Sequence, residues 1–149
     1  MTELVTSAVA LGAALGHDFV DLPLLHRALT HPSWANEHPP AMDNESLAFL
    51  GDAVLALVVG ERLWQQDPAA LVGQLTPRRA DLVSGANLAR WAERLGLGRH
   101  LRLGRGEQLT GGDAKESVLA TALEAVLAVV YVEGGLPAAR RAVARLALW

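Results

Sequence analysis

The 149-residue sequence contains no cysteine. Disulfides and thiolate-bound metals are therefore excluded, and any bound ion must be held by oxygen or imidazole ligands. Strand signals are almost missing as well. No Asn-Gly or Asp-Gly turn joins two alternating runs, and the apolar spacing is mostly helical. No apolar run reads as long enough and free enough of charge to span a bilayer. The N-terminal LVTSAVALGAALG lacks the basic flank of a secretory signal and reads as an amphipathic first helix. A cytoplasmic setting is the expectation. No G-x-S-x-G elbow occurs, and GLGRHLRLGRG lacks the strand–loop–helix setting and the lysine of a phosphate-cradling loop.

What is present is an apolar, helix-forming chain. Hydrophobic residues make up 51% of it and charged residues 19%, a globular balance that fits one domain with a sizeable core. The pattern predicts an all-α single domain over residues 1–149. Helices are predicted near 3–15, 22–30, 43–66, 76–95, 115–133 and 137–148, with 31–43 as a loop. Asp43 or Asn44 is a candidate cap for the third helix, and Thr76 with Pro77 for the start of the fourth. The Gly134-Gly135-Leu136-Pro137 corner separates the last two.

Charge is unevenly spread. Between Arg78 and Lys115 lie eight basic residues and four acids, a local +4 in a chain whose net charge is −3, leaving −7 elsewhere. A basic face on an acidic body suits a polyanion partner, although a solvated helix face with ordinary ion pairs has the same composition. The five histidines are scattered without metal-binding spacing, so local structural roles are expected for them.

Two apolar runs carry isolated acids. NESLAFLGDAVLALVV, residues 44–59, holds Glu45 and Asp52; SVLATALEAVLAVVYV, residues 117–132, holds Glu124. A carboxylate in apolar surroundings is costly to ionise unless something compensates it. Helices apolar on nearly every side are expected to be central and mutually adjacent. Glu45 and Asp52, seven residues apart, differ by only about 20° around a helix axis and share a face with Ala48. Thr121 lies one turn before Glu124 on the same face. If these faces meet, the acids converge, and gathered carboxylates repel unless a cation joins them. Oxygen ligands alone select Mg²⁺ or Mn²⁺. Plainer readings stay open at this point: Asp52 as the N-cap of a helix starting at Ala53, Glu45 as a first-turn acid favoured by the helix dipole, and Glu124 in a structural ion pair with an arginine.

NESLAFLGDAVL resembles the ribonuclease III catalytic-domain signature, N-E-R-L-E-F-L-G-D-[AS]-[VIL]-L. LLHRALTHPS, LVSGANLARWAERLGLGRHLRLGRGE and GGDAKESVLATALEAVLAVVYVEGG are similar to further segments of that domain, in the family's order. The resemblance implies an all-helical, homodimeric endoribonuclease that hydrolyses double-stranded RNA with Mg²⁺, leaving 5′-phosphate and 3′-hydroxyl ends. It maps family acidic positions onto Glu45, Asp52 and Glu124, and an aromatic that plugs a partner subunit onto Phe49. Two other ligand positions are occupied by Ala48 and Thr121. LAFLGD and ATALEA resemble the reduced site of the mini-ribonuclease III subfamily, which lacks a separate double-stranded RNA-binding domain. No such domain is expected within these residues. On this reading Asp52 and Glu124 hold metal, Thr121 acts through a water, Glu45 supports the site, and Arg78, Arg79 and Lys115 contact RNA phosphates. A ribosomal RNA precursor is the analogous substrate. A catalytically impaired relative that binds RNA or serves ribosome assembly is the alternative.

Overall fold

The apolar stretch Val118–Val130 fixes the centre of the molecule. The computed structural model describes residues 1–149 as eight helices: α1 (Thr2–Leu15), α2 (Leu22–Ala28), α3 (Pro32–Glu37), α4 (Glu45–Gln66), α5 (Val72–Leu82), α6 (Gly85–Leu95), α7 (Arg105–Leu109) and α8 (Glu116–Ala147). Short 3-10 turns at Leu97–His100 and Gly112–Ala114 lie between α6 and α8. The one strand-like feature is an isolated parallel bridge between Thr30 and Arg102. The expected all-α class holds.

From Val118 to Val130, α8 buries every residue except Thr121 and Glu124, which are half-buried. Its length and composition are sufficient to cross a membrane, contrary to the sequence reading of apolar runs, but most of its apolar window is core. Its largest contact is with α4, and α1, α2 and α6 cover other sides. These elements enclose a hydrophobic cluster of 34 buried residues.

The α4–α8 contact is one of backbones. A Cβ added at Gly51 would lie 1.7 Å from the Glu124 carbonyl oxygen and 2.5 Å from its carbon. Glycine is required because it removes the side chain that would hold the helices apart. The expectation that α4 is covered on all sides is corrected. Leu47, Ala48, Gly51, Val54, Leu55, Val58, Val59 and Leu63 are buried, whereas Phe49, Ala53, Leu57 and Trp64 are exposed. The helix is apolar all round, but this chain covers only one of its sides.

Three boundaries depart from expectation for local reasons. Residues 76–95 form two helices rather than one. Ser84 interrupts them, its Oγ accepting from the Asn87 N–H at 3.2 Å to cap α6. Pro77 lies inside α5 rather than at its first turn; α5 buries no residue and begins where Gln74 Oε1 accepts from the Leu71 N–H. Residues 32–37 form a helix within the predicted loop, with Pro32 at its first position and His31 Nδ1 accepting from the Ser33 N–H at 3.1 Å. At the start of α4, Asp43 Oδ1 accepts from the Glu45 N–H at 2.9 Å, while Asn44 turns inward and donates to the Ala28 carbonyl.

The predicted corner near Gly135 is present as a break within α8, at φ 68° and ψ −166°, values natural to glycine. Beside it, Glu133 accepts from His17 Nε2 at 2.8 Å and from the Asp21 and Val20 backbone N–H groups. Burial works to raise the Glu133 carboxyl, but these hydrogen bonds hold it below its ordinary value. Their contribution is complete above the normal glutamate range and lost as pH falls through the lowered value.

The two glycines of α4 make opposite predictions. Gly51→Ala is expected to destabilise the fold by about 3 kcal/mol or more, because two backbones must separate. A Cβ at Gly60 meets only ordinary contacts at 3.8 Å with Arg79. Gly60→Ala is therefore expected to stabilise by about 0.5–1 kcal/mol. Urea unfolding of both variants measures the difference, and comparable effects would refute the backbone-contact account.

Candidate active site

The close crossing at Gly51 determines what its neighbours can do. Asp52 follows it directly and lies well inside α4, so it is not the N-cap of a helix starting at Ala53. Its side chain is exposed, and Glu124 is half-buried across the crossing. The Glu124 carboxyl is pushed up to about 7, first by burial and then by the negative charge of Asp52. The second cause places the two acids within electrostatic reach of each other. The structural ion pair does not form, because all three ion pairs in the protein lie elsewhere. No hydrogen bond contributes to the Glu124 shift. Two carboxylates thus converge with no basic side chain paired to either.

The other positions are distributed unevenly around this pair. Glu45 is exposed at the first position of α4, and no three acidic or imidazole side chains gather into one cluster. Ala48, one turn before Asp52, is buried and apolar where a further acid would have stood. Thr121 is half-buried one turn before Glu124. Phe49 is 82% exposed. Arg78 and Arg79 are exposed on α5. Lys115 is occupied, donating to Glu107 Oε2 at 2.9 Å and Thr110 Oγ1 at 3.0 Å.

Four of the five histidines have local structural contacts. His17 ties Glu133, His31 caps α3, His38 stacks on Trp34 at 3.9 Å, and His100 meets Ser7. Gly51 is the residue whose role sequence reasoning missed. Its signal was a glycine at the centre of a long helix, a position glycine ordinarily weakens.

The donor set suits a hard divalent cation. Mg²⁺ commonly uses one or two protein carboxylates and completes its octahedron with water and phosphate oxygens. Asp52 and an otherwise uncompensated Glu124 match that demand, and no sulfur or imidazole competes.

Comparison with known proteins follows the same line. The Ribonuclease-III-like family profile matches residues 21–148. Ribonuclease 3 of Symbiobacterium thermophilum is 49% identical over 132 residues, covering 89% of this chain and 56% of that protein. Ribonuclease 3 of Heliobacterium modesticaldum is 50% identical over 133 residues, covering 88% and 57% respectively. The chain therefore spans little more than half the length of these relatives. The crystallised nuclease domain of ribonuclease III from Campylobacter jejuni superposes with a TM-score of 0.85 at 39% identity, covering 92% of this chain and 93% of that one.

A raised carboxyl makes the acid pair a stability cost with a defined pH dependence. Ionised Glu124 destabilises the metal-free fold fully above about 7. The cost disappears as pH falls below the ordinary glutamate range. Glu124→Gln is thus expected to raise the melting temperature on the alkaline side of neutrality and to leave it unchanged at about pH 4. Thermal unfolding across this interval tests the sign; a variant less stable than wild type at high pH would contradict it.

Proposed function

This chain belongs to the ribonuclease III-like family, and on that premise we propose that it is an endonuclease domain hydrolysing phosphodiesters of double-stranded or structured RNA with a divalent ion, Mg²⁺ or Mn²⁺. The observation that carries the reading is the coupled, unpaired Asp52–Glu124 pair at the α4–α8 crossing. Asp52 and Glu124 offer carboxylate oxygens to the ion. Thr121, half-buried one turn before Glu124, would hydrogen-bond a water of the ion, and Glu45 would add negative potential at the start of α4. When bound, the ion neutralises phosphate charge and activates water. Water attacks phosphorus and the bond to the 3′-oxygen breaks, leaving a 5′-phosphate and a 3′-hydroxyl.

Substrate affinity on this reading comes from phosphate contacts. Arg78 and Arg79 are exposed and available for such contacts, and Lys115 retains one of its three N–H donors after binding Glu107 and Thr110. Such binding weakens steeply with salt. Homodimerisation through the open side of α4 belongs to the same reading. Phe49, Ala53, Ala56, Gly60 and Trp64 fall at helical spacing along that side, and none is buried. A second copy would cover it, with Phe49 as the projecting aromatic. A ribosomal RNA precursor is the proposed natural substrate. The competing reading, a domain that binds RNA or a ribosome-assembly partner without cutting, draws on Ala48 and Thr121, which contribute no carboxylate.

Cleavage of a duplex RNA in Mg²⁺ or Mn²⁺ separates the two. Asp52→Asn and Glu124→Gln are each expected to lower the rate by at least about 100-fold, reflecting several kcal/mol of lost charge stabilisation. RNA binding by both variants should persist. Equal residual cleavage in wild type and both variants, or binding with no cleavage at any metal concentration, would overturn the nuclease reading.

A further inference from the structure

A second site of different chemistry lies away from the acid pair. A cleft of about 420 Å³ opens between the start of α1, α2 and the segment Arg99–Arg102, and none of its lining residues belongs to the candidate active site. Its volume lies within the range of small-molecule sites, roughly 300–1,000 Å³. The wall carries Arg99, Arg102, His26 and His100 against a single carboxylate, Glu3. Neither arginine takes part in any of the three ion pairs of the protein. In a chain of net charge −3, two arginines outside any ion pair on one wall, facing one carboxylate, are the unusual feature.

Arg102 and His100 are held by hydrogen bonds, whereas Arg99 is exposed. Arg102 is half-buried, donates through Nε and Nη2 to Thr30 Oγ1 at 2.9 and 2.6 Å, and lies 3.9 Å over the Trp34 ring. Arg99 folds over Gly96, where an added Cβ would come within 2.7 Å of its Nη2. His100 Nδ1 sits 2.7 Å from Ser7 Oγ, and its Nε2 is buried without a partner. A buried ring nitrogen without a partner is a group that a ligand or a water would satisfy.

The electrostatics agree with the geometry. His26 is held below its ordinary value by burial, then by Arg102 and the amino terminus; His100 is lowered by burial and then by Arg99. Burial and the neighbouring arginines thus favour the neutral imidazoles, and an anion bound beside them would favour their protonation. The opening turn of α1, a 14-residue helix with no side-chain cap, adds free backbone N–H donors on the same wall.

We propose that this cleft binds a small phosphomonoester, with the dianion gripped by Arg99 and Arg102 and the organic part lying against Leu4, Leu29 and Leu101. Guanidinium groups match phosphate oxygens in both geometry and charge. A free anion and a phosphorylated organic molecule share this chemistry, so both serve as probes.

The test is an NMR titration of the full chain, following the His26 and His100 ring signals during addition of inorganic phosphate, adenosine 5′-monophosphate and adenosine. Saturable shifts with adenosine 5′-monophosphate, weaker ones with phosphate, and none with adenosine are expected. Arg99→Glu should weaken binding by at least about tenfold, equivalent to 1.4 kcal/mol. Arg90→Glu, the same charge change on α6 outside the cleft, should leave it unchanged. Non-saturating shifts, equal binding of adenosine, full binding by Arg99→Glu, or equal losses in both variants would overturn the assignment. Cleavage of RNA does not enter the readout, so failure here leaves the nuclease reading untouched.

Discussion

The fold and its candidate chemistry depend on one contact, the meeting of backbones where Gly51 of α4 lies against the Glu124 carbonyl of α8. Helices normally pack with their axes about 8–10 Å apart, kept there by interlocking side chains. Removing the side chain at the crossing lets the helices close until main chain touches main chain. Residues adjoining that point are then carried close together whatever their chemistry. Asp52 is the next residue along α4, and Glu124 is the touching residue of α8. Their electrostatic coupling is therefore a consequence of helix packing, not of local attraction, since two acids would otherwise separate.

An acid pair maintained by packing stores unfavourable energy, and the rest of the molecule must supply the stability to hold it. The surrounding α8 residues do so. Val118 to Val130 form a nearly continuous apolar core around the half-buried Thr121 and Glu124. That environment raises the Glu124 carboxyl to about 7, so near neutrality it is balanced between its two protonation states. A site that is uncomfortable without a cation is prepared to accept one. Contrast Glu133 on the same helix, where three hydrogen-bond donors satisfy a buried carboxylate and lower its value. One helix holds both a solved and an unsolved acid. Burial pushes both carboxyls up, and the donors around Glu133 reverse that push.

Much of this was legible in the sequence, because the relevant signals are local or strictly periodic. Helical spacing gave the all-α class, and isolated acids in apolar runs identified Asp52 and Glu124. The failures came where side-chain detail outweighs periodicity. Ser84 ends one helix and caps the next within a run that reads as continuous. His31 caps α3 although imidazole is not among the usual capping residues. Pro77 is exposed and lies inside α5, a helix with no fully buried residue. Glu45 shares a side of α4 with Asp52, but periodicity fixes only an angle about the axis. Seven residues separate the two, roughly 10 Å along a helix, which is consistent with the lack of a three-acid cluster.

The apolar surround of α4 predicts full burial, and its one-sided cover shows what such a pattern measures. Composition records every surface a helix must hide, including surfaces hidden only by another molecule. A similar economy runs through the acid pair. Each added carboxylate at the crossing would strengthen attraction for a divalent ion, but would also raise the cost of the metal-free fold, where burial and the Asp52 charge already displace Glu124. With Ala48 buried and Thr121 neutral, the repulsion is limited to two charges. The same substitutions leave more of an ion's coordination sphere to water and substrate oxygens. A reduced donor set therefore ties ion retention to substrate binding more closely than a full cage would. On the proposed reading, Gly51, by fixing the separation of the two helices, keeps the remaining pair close enough to share an ion.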